Sequence, residues 1–221
     1  MFMNLIPKAP KPYILLLPLF GMVLFVFLYI IAAIKYPGGS WVMPQQNGFS
    51  FWNNYLCDLL DHDAINGELN NARYFARTSL GVLCLSLILL WNYLPNLFKG
   101  KSLNKKIMWL SGIAALVATS FLSSGTHDRT VHIAGFFAVV AFLTCFVELL
   151  RAKHVKLLVF GVGCLIIFLV NYYIYETGSY IRLLPIIQKI TFISFIIWFV
   201  MLDIFIYRKL KMDFAKKLEH S

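Results

Sequence analysis

The stretches "CDLLDHD" and "THDRTVH" each pair an aspartate with a histidine four residues on, Asp58 with His62 and Asp128 with His132, and His127 adjoins the second pair. Residues four apart share one face of a helix, so each pair would present a carboxylate beside an imidazole. Both groups are zinc ligands, and three such ligands with an open fourth position let zinc lower the pKa of a bound water toward neutrality. In that chemistry His62, His127 and His132 hold the metal. Asp58 and Asp128 act as general base or fix the tautomer of a ligating histidine. The spacings match no H-E-x-x-H signature. Each residue also has a plainer use: His127 and Asp128 as a helix cap, His132 as a donor to a backbone carbonyl, His62 as a solvated loop residue.

The cations offer different chemistry. Arg73 and Arg77 stand four apart, and Lys189 in "LPIIQKITF" falls in the first turns of an apolar run. A lysine there either pairs with a carboxylate or loses its proton. Asp58 or Asp128 is the expected partner, with Gln188 or Asn171 nearby. Arg73, Arg77 and Lys189 would equally suit the phosphate or carboxylate head group of a lipid, since arginine forks match such oxygens; the arginines would otherwise snorkel to lipid phosphates. Two histidines from separate helices would also suit haem.

The elements that must position these residues follow from composition. Of the 221 residues 60% are hydrophobic and only 14% charged, and the mean hydropathy is +0.73. Soluble domains carry about 25% charged residues, so the chain is expected to be an integral membrane protein. Six runs approach the ~20 apolar residues of a membrane helix: 12–34, 72–98, 107–125, 131–150, 157–175 and 185–207. Runs of that length exclude the short alternating strands of a barrel. The expected fold is therefore all-α, a single six-helix membrane domain over residues 1–211, with 212–221 as a tail whose end resembles a cloning remnant. The first run lacks a signal peptide's cleavage site and is taken as a retained span.

Lysine and arginine concentrate at both termini, in "KGKSLNKK" and in "RAKHVK". An even number of spans puts these four segments on one side, the cytoplasmic one by the positive-inside rule. The net charge of +10 then reflects topology and attraction to anionic lipid, without any nucleic acid. The opposite, outer side carries His62, His127 and His132 together with most of the acids. Within the outer stretch 36–71, Phe49, Trp52, Leu56, Leu59 and Leu60 recur at helical spacing, which predicts a short interfacial amphipathic helix. Cys84, Cys145 and Cys164 fall inside spans and Cys57 is alone outside, so no disulfide is expected. Gly112, Gly125, Gly135, Gly161 and Gly163 are expected to let helices approach closely.

The order of "GFSFWNNYLCDL", "NGELNNARYFARTSLGVL" and "SSGTHDRTVHIAGFFAVVAF" resembles the bacterial six-helix membrane proteins catalogued as domain of unknown function nine-nine-eight, akin to the Frag1/DRAM/Sfk1 group. The resemblance covers roughly 13–207 and implies the fold and a bacterial inner membrane, but no reaction. Polar residues of that family correspond to Asp58, Asn71, His127 and His132; Cys57 stands where a serine is usual. A fainter similarity to alkaline ceramidases, intramembrane zinc enzymes that cleave a lipid amide, implies hydrolysis. It lacks their histidine spacings and their helix count.

Two functions follow as expectations. One is a zinc-dependent hydrolase acting on a lipid. The alternative is a non-catalytic protein that binds or moves a lipid, quinone or small amphiphile, with Arg73, Arg77 and Lys189 at the head group. Haem binding is a third.

Overall fold

The computed structural model describes residues 7, 9–121 and 127–219, the side chains of His127, Asp128 and 217–219 excepted. Six α-helices follow one another: α1 (Leu16–Lys35), α2 (Arg73–Tyr93), α3 (Leu103–Ser120), α4 (His127–Arg151), α5 (Val155–Thr177) and α6 (Leu184–Glu219). Among the described residues there is no strand, only isolated bridges at Gly38–Asn47 and Asp63–Leu69. Each helix packs on the next, and α6 also packs on α1 and α2.

Helix α1 shows why the chain associates this way. Pro18, Met22, Phe25 and Ala32 are buried in the bundle, whereas Leu16, Phe20, Val23, Phe27, Ile30 and Ile34 form an outward stripe at least half exposed. An apolar stripe facing outward along a whole helix has no place in water and is what a bilayer accepts. Among the described residues five stretches are long and apolar enough to cross a membrane: Pro12–Lys35, Arg73–Leu97, Arg129–Arg151, Val155–Thr177 and Ile181–Lys216. Helix α3 opens with Asn104, Lys105 and Lys106, which shortens its apolar part.

Two tryptophans lock neighbouring helices by the same geometry. Trp91 Nε1 of α2 donates to Met108 O of α3 at 2.8 Å, and Trp198 Nε1 of α6 donates to Leu157 O of α5 at 2.9 Å. One turn beyond each acceptor lies a glycine. A Cβ on Gly112 would sit 1.8 Å from Trp91 Nε1, and one on Gly161 would sit 2.7 Å from both Trp198 Nε1 and Phe146. The expected close approach thus occurs at these two positions. Gly163 has nothing within 4 Å of its Cβ direction, and Gly135 meets only Phe168, at 3.9 Å. Gly125 lies outside the described residues.

The element ends follow local chemistry. Pro95 cannot supply an amide to a continuing α-helix, and α2 gives way to a 3₁₀ turn at Leu94–Leu97. Ser102 caps α3, its Oγ accepting from Lys105 N at 3.1 Å. Helix α6 continues to Glu219, past the predicted end of its apolar run.

Candidate functional site in the cap

Residues 36–72 join α1 to α2 as a cap over one end of the bundle. A separate small core of Ala32, Tyr36, Leu59, Leu60, Ala76 and Leu80 seats it. The predicted amphipathic helix is absent. In its place stands a four-residue 3₁₀ turn, Cys57–Leu60, which ends where Asp61 turns extended at ψ 159°. The reason is competition for the backbone: side chains from elsewhere take the groups that an α-helix would pair internally.

Asn54 is the centre of this competition and is wholly buried. Its Nδ2 donates to Gly39 O at 2.7 Å and to Asp58 Oδ2 at 2.9 Å. Its Oδ1 accepts from Gln46 Nε2 at 2.8 Å and Ser50 N at 2.9 Å. The amide's capacity is thereby filled. Its backbone carbonyl accepts from Lys189 Nζ at 2.5 Å. Nothing in the local pattern around "FWNNYL" singles out Asn54 from Asn53, since every partner but its neighbours is brought by folding.

The five carbonyls of residues 58–62 are collected by the segment entering α2. Asn70 Nδ2 donates to Asp58 O, Leu59 O and Asp61 O at 3.0–3.3 Å. Arg77 Nε takes Leu60 O at 2.9 Å, and Arg73 NH1 takes His62 O at 2.9 Å. Arg73 and Arg77, four apart, share one face of α2, and Asn70 precedes it in the turn that leads into the helix.

The predicted site residues are distributed as follows. Asp58 is 5% exposed and accepts from Asn54 Nδ2 and, at 2.9 Å, from Tyr55 N. Burial pushes its carboxyl up to about 6 against the opposing pull of those two hydrogen bonds. His62 is exposed, its ring Nδ1 2.7 Å from Asp63 Oδ1; because the 3₁₀ turn ends between them, Asp58 and His62 do not share a face. His132 lies on α4, its Nε2 3.0 Å from Glu176 Oε1 of α5, with Tyr172 against its ring. The side chains of His127 and Asp128 lie outside the described residues. Among the described residues no three His, Cys, Asp or Glu side chains group to hold a metal ion.

Lys189 is 4% exposed and does not touch Asp58. Its ammonium bonds to Asn54 O and Pro185 O and lies over the rings of Phe49 and Phe51 at 5.5 and 5.1 Å, a cation–π cage. Gln188 beside it accepts Leu56 N at 2.7 Å, and Tyr29 Oη donates to Leu56 O at 2.5 Å. All four cysteines are free, and burial, reinforced by Asp58, pushes the Cys57 thiol up to about 12. The sequence reading passed over Asp203 of α6, which is fully buried with neither carboxyl oxygen bonded among the described residues. Its signal was a single acid within the apolar run "FVMLDIFIY".

Fold and cap together define an all-helical protein with several helices able to cross a membrane and a polar, cross-braced cap at one end. No protein-family model, curated protein or solved structure matches the chain.

Proposed function

We propose that the chain is a six-span protein of a bacterial cytoplasmic membrane, α3 being the sixth span, with the lysine-rich end and both termini cytoplasmic. The positive-inside bias supports that orientation. The cap then lies on the outer surface, where the exposed Trp41, Val42, Met43, Phe51 and Trp52 suit the interface between head groups and chains. At this rim the protein binds an anionic amphiphile without chemical change.

Arg77 carries the reading. Arg77 is exposed, and among the described residues its guanidinium gives only its Nε–H to the protein, to Leu60 O. No carboxylate among the described residues pairs with it. Its remaining donors form a planar fork for two oxygens of a phosphate or carboxylate. Arg73 adds charge one turn away, while Lys189 and Asn54 keep the cap in place beneath.

The test uses protein in phosphatidylcholine nanodiscs, titrated with dodecyl phosphate and with dodecanol. Wild type binds dodecyl phosphate, and Arg77→Gln weakens that binding about tenfold or more while dodecanol binding and the helical circular-dichroism signal stay the same. No binding by wild type, or equal binding by the variant, overturns the reading. About one zinc per chain that is lost in His132→Ala would instead support the hydrolase on His62, His127 and His132, and a Soret band would support haem.

A further inference from the structure

At the end of the bundle opposite the cap, the Leu94–Leu97 turn, the segment 98–102 and the start of α3 enclose a cavity of about 440 Å³. Three lysines, Lys101, Lys105 and Lys106, line it together with Ser102, and among the described residues no carboxylate does. Glu148 of α4 lies close, outside the lining: its Oε1 accepts from Ser102 Oγ at 3.1 Å, Asn104 Nδ2 at 2.9 Å and Arg151 NH1 at 3.1 Å, and its charge offsets part of that of Lys105.

Lys105 is 5% exposed, and its Nζ donates to the carbonyls of Phe98 and Gly100. It has no ion-pair partner among the described residues. A buried ammonium normally has a counter-charge; two neutral carbonyls orient this one without cancelling it. Helix α3 also begins at this lining, so the positive end of its dipole lies there. Lys209 of α6 donates to Asn96 O at 2.7 Å and Leu97 O at 3.1 Å, bringing a further cation to the same turn. Asn96 also lines the cavity, and Pro7, Pro95, Phe98 and Leu103 supply its apolar part, Leu103 while remaining 72% exposed.

We propose that this cavity is a phosphate-binding site that takes the head group of an anionic phospholipid, with the exposed Leu103 against the lipid's chain. The lipid source rests on the six-span reading, which sets this end at the cytoplasmic surface, where anionic lipid accumulates. Phosphate binding itself does not depend on that reading or on the Arg77 site, which lies at the other end of the molecule.

The test compares the full chain in nanodiscs of phosphatidylcholine alone, in the same nanodiscs with inorganic phosphate added, and in nanodiscs containing phosphatidylglycerol. Binding is read as retained lipid by native mass spectrometry and as protection of Lys101 and Lys106 from an amine-reactive label. Phosphatidylglycerol retention with lysine protection identifies the lipid; protection by inorganic phosphate alone identifies free phosphate. Lys101→Gln/Lys106→Gln weakens retention about thirty-fold or more, since each removes a charge-assisted bond to the phosphate within the cavity. Lys156→Gln/Lys211→Gln removes equal charge from exposed positions that do not line the cavity and leaves retention within about threefold of wild type. No protection in any arm, or equal loss in both double variants, overturns the site.

Discussion

Lys189 of α6 and Asn54 of the cap meet at 2.5 Å across 135 positions of sequence, the ammonium donating to the asparagine's main-chain carbonyl. Below that carbonyl the Asn54 side chain binds Asp58 and Gly39, so a single residue joins the bundle, the turn and the loop after α1. Asn54→Ala strands Gly39 O, Ser50 N and Gln46, at about 1–3 kcal/mol for each buried group left unpaired. Hydrogen exchange should rise across 36–72 and stay low in α5 and the buried part of α6. A variant whose cap exchanges as slowly as wild type would remove Asn54 from this role.

Asp58 makes stability depend on acidity. Its carboxyl moves from an ordinary 3.8 to about 6 because burial disfavours the charge. The folded protein therefore holds a proton that the unfolded chain gives up between about pH 4 and pH 6. The resulting stabilisation is complete below pH 4 and is lost as pH rises through 6, about 3 kcal/mol in all for a shift of this size. Asp58→Asn keeps an acceptor for Asn54 and Tyr55 but cannot titrate. The wild-type minus variant difference in unfolding free energy should fall across that window; a flat difference would show that Asp58 is not desolvated.

The two glycines of α5 should behave oppositely. Gly161→Ala drives a methyl into Trp198 and Phe146 and should cost about 1–3 kcal/mol of stability. Gly163→Ala meets open space and should stabilise by up to about 1 kcal/mol through helix propensity. Thermal melts in one detergent compare the two directly, and equal shifts would contradict the tryptophan-on-glycine contact.

Asp203 sits wholly buried in α6 with neither carboxyl oxygen bonded among the described residues. Removing an unsatisfied buried polar group relieves its desolvation, typically about 1–3 kcal/mol. Asp203→Ala should therefore melt higher than wild type. A lower melting point would mean that the carboxyl has a partner in the membrane-embedded protein.

The helices were legible because an apolar run is a property of contiguous residues and an α-helix pairs its backbone within itself. Those causes act locally, and the six predicted runs correspond to α1 through α6. The cap was not legible for the converse reason. Its helical-looking spacing at Phe49, Trp52, Leu56 and Leu59 lost to the amides and guanidiniums of Asn54, Asn70, Arg73 and Arg77, which take the same backbone groups from a distance. Lys189, expected to pair with Asp58 or Asp128, bonds instead to a carbonyl and lies over two aromatic rings, with Asp58 acting on it from beyond contact distance and the Asp128 side chain outside the described residues.

Composition, periodicity and the placement of lysines by themselves determined that this is a chain of long apolar helices with most of its lysines in the segments at one end. Which polar groups meet was decided only by the tertiary structure. The aspartate and histidine of "DLLDH" part at the 3₁₀ turn, His132 turns to Glu176, and three of the four lysines of "KGKSLNKK" line one cavity. Hydrogen bonds and charges between residues distant in sequence depend on where several elements come to rest together, and that arrangement is written in no single stretch of the chain.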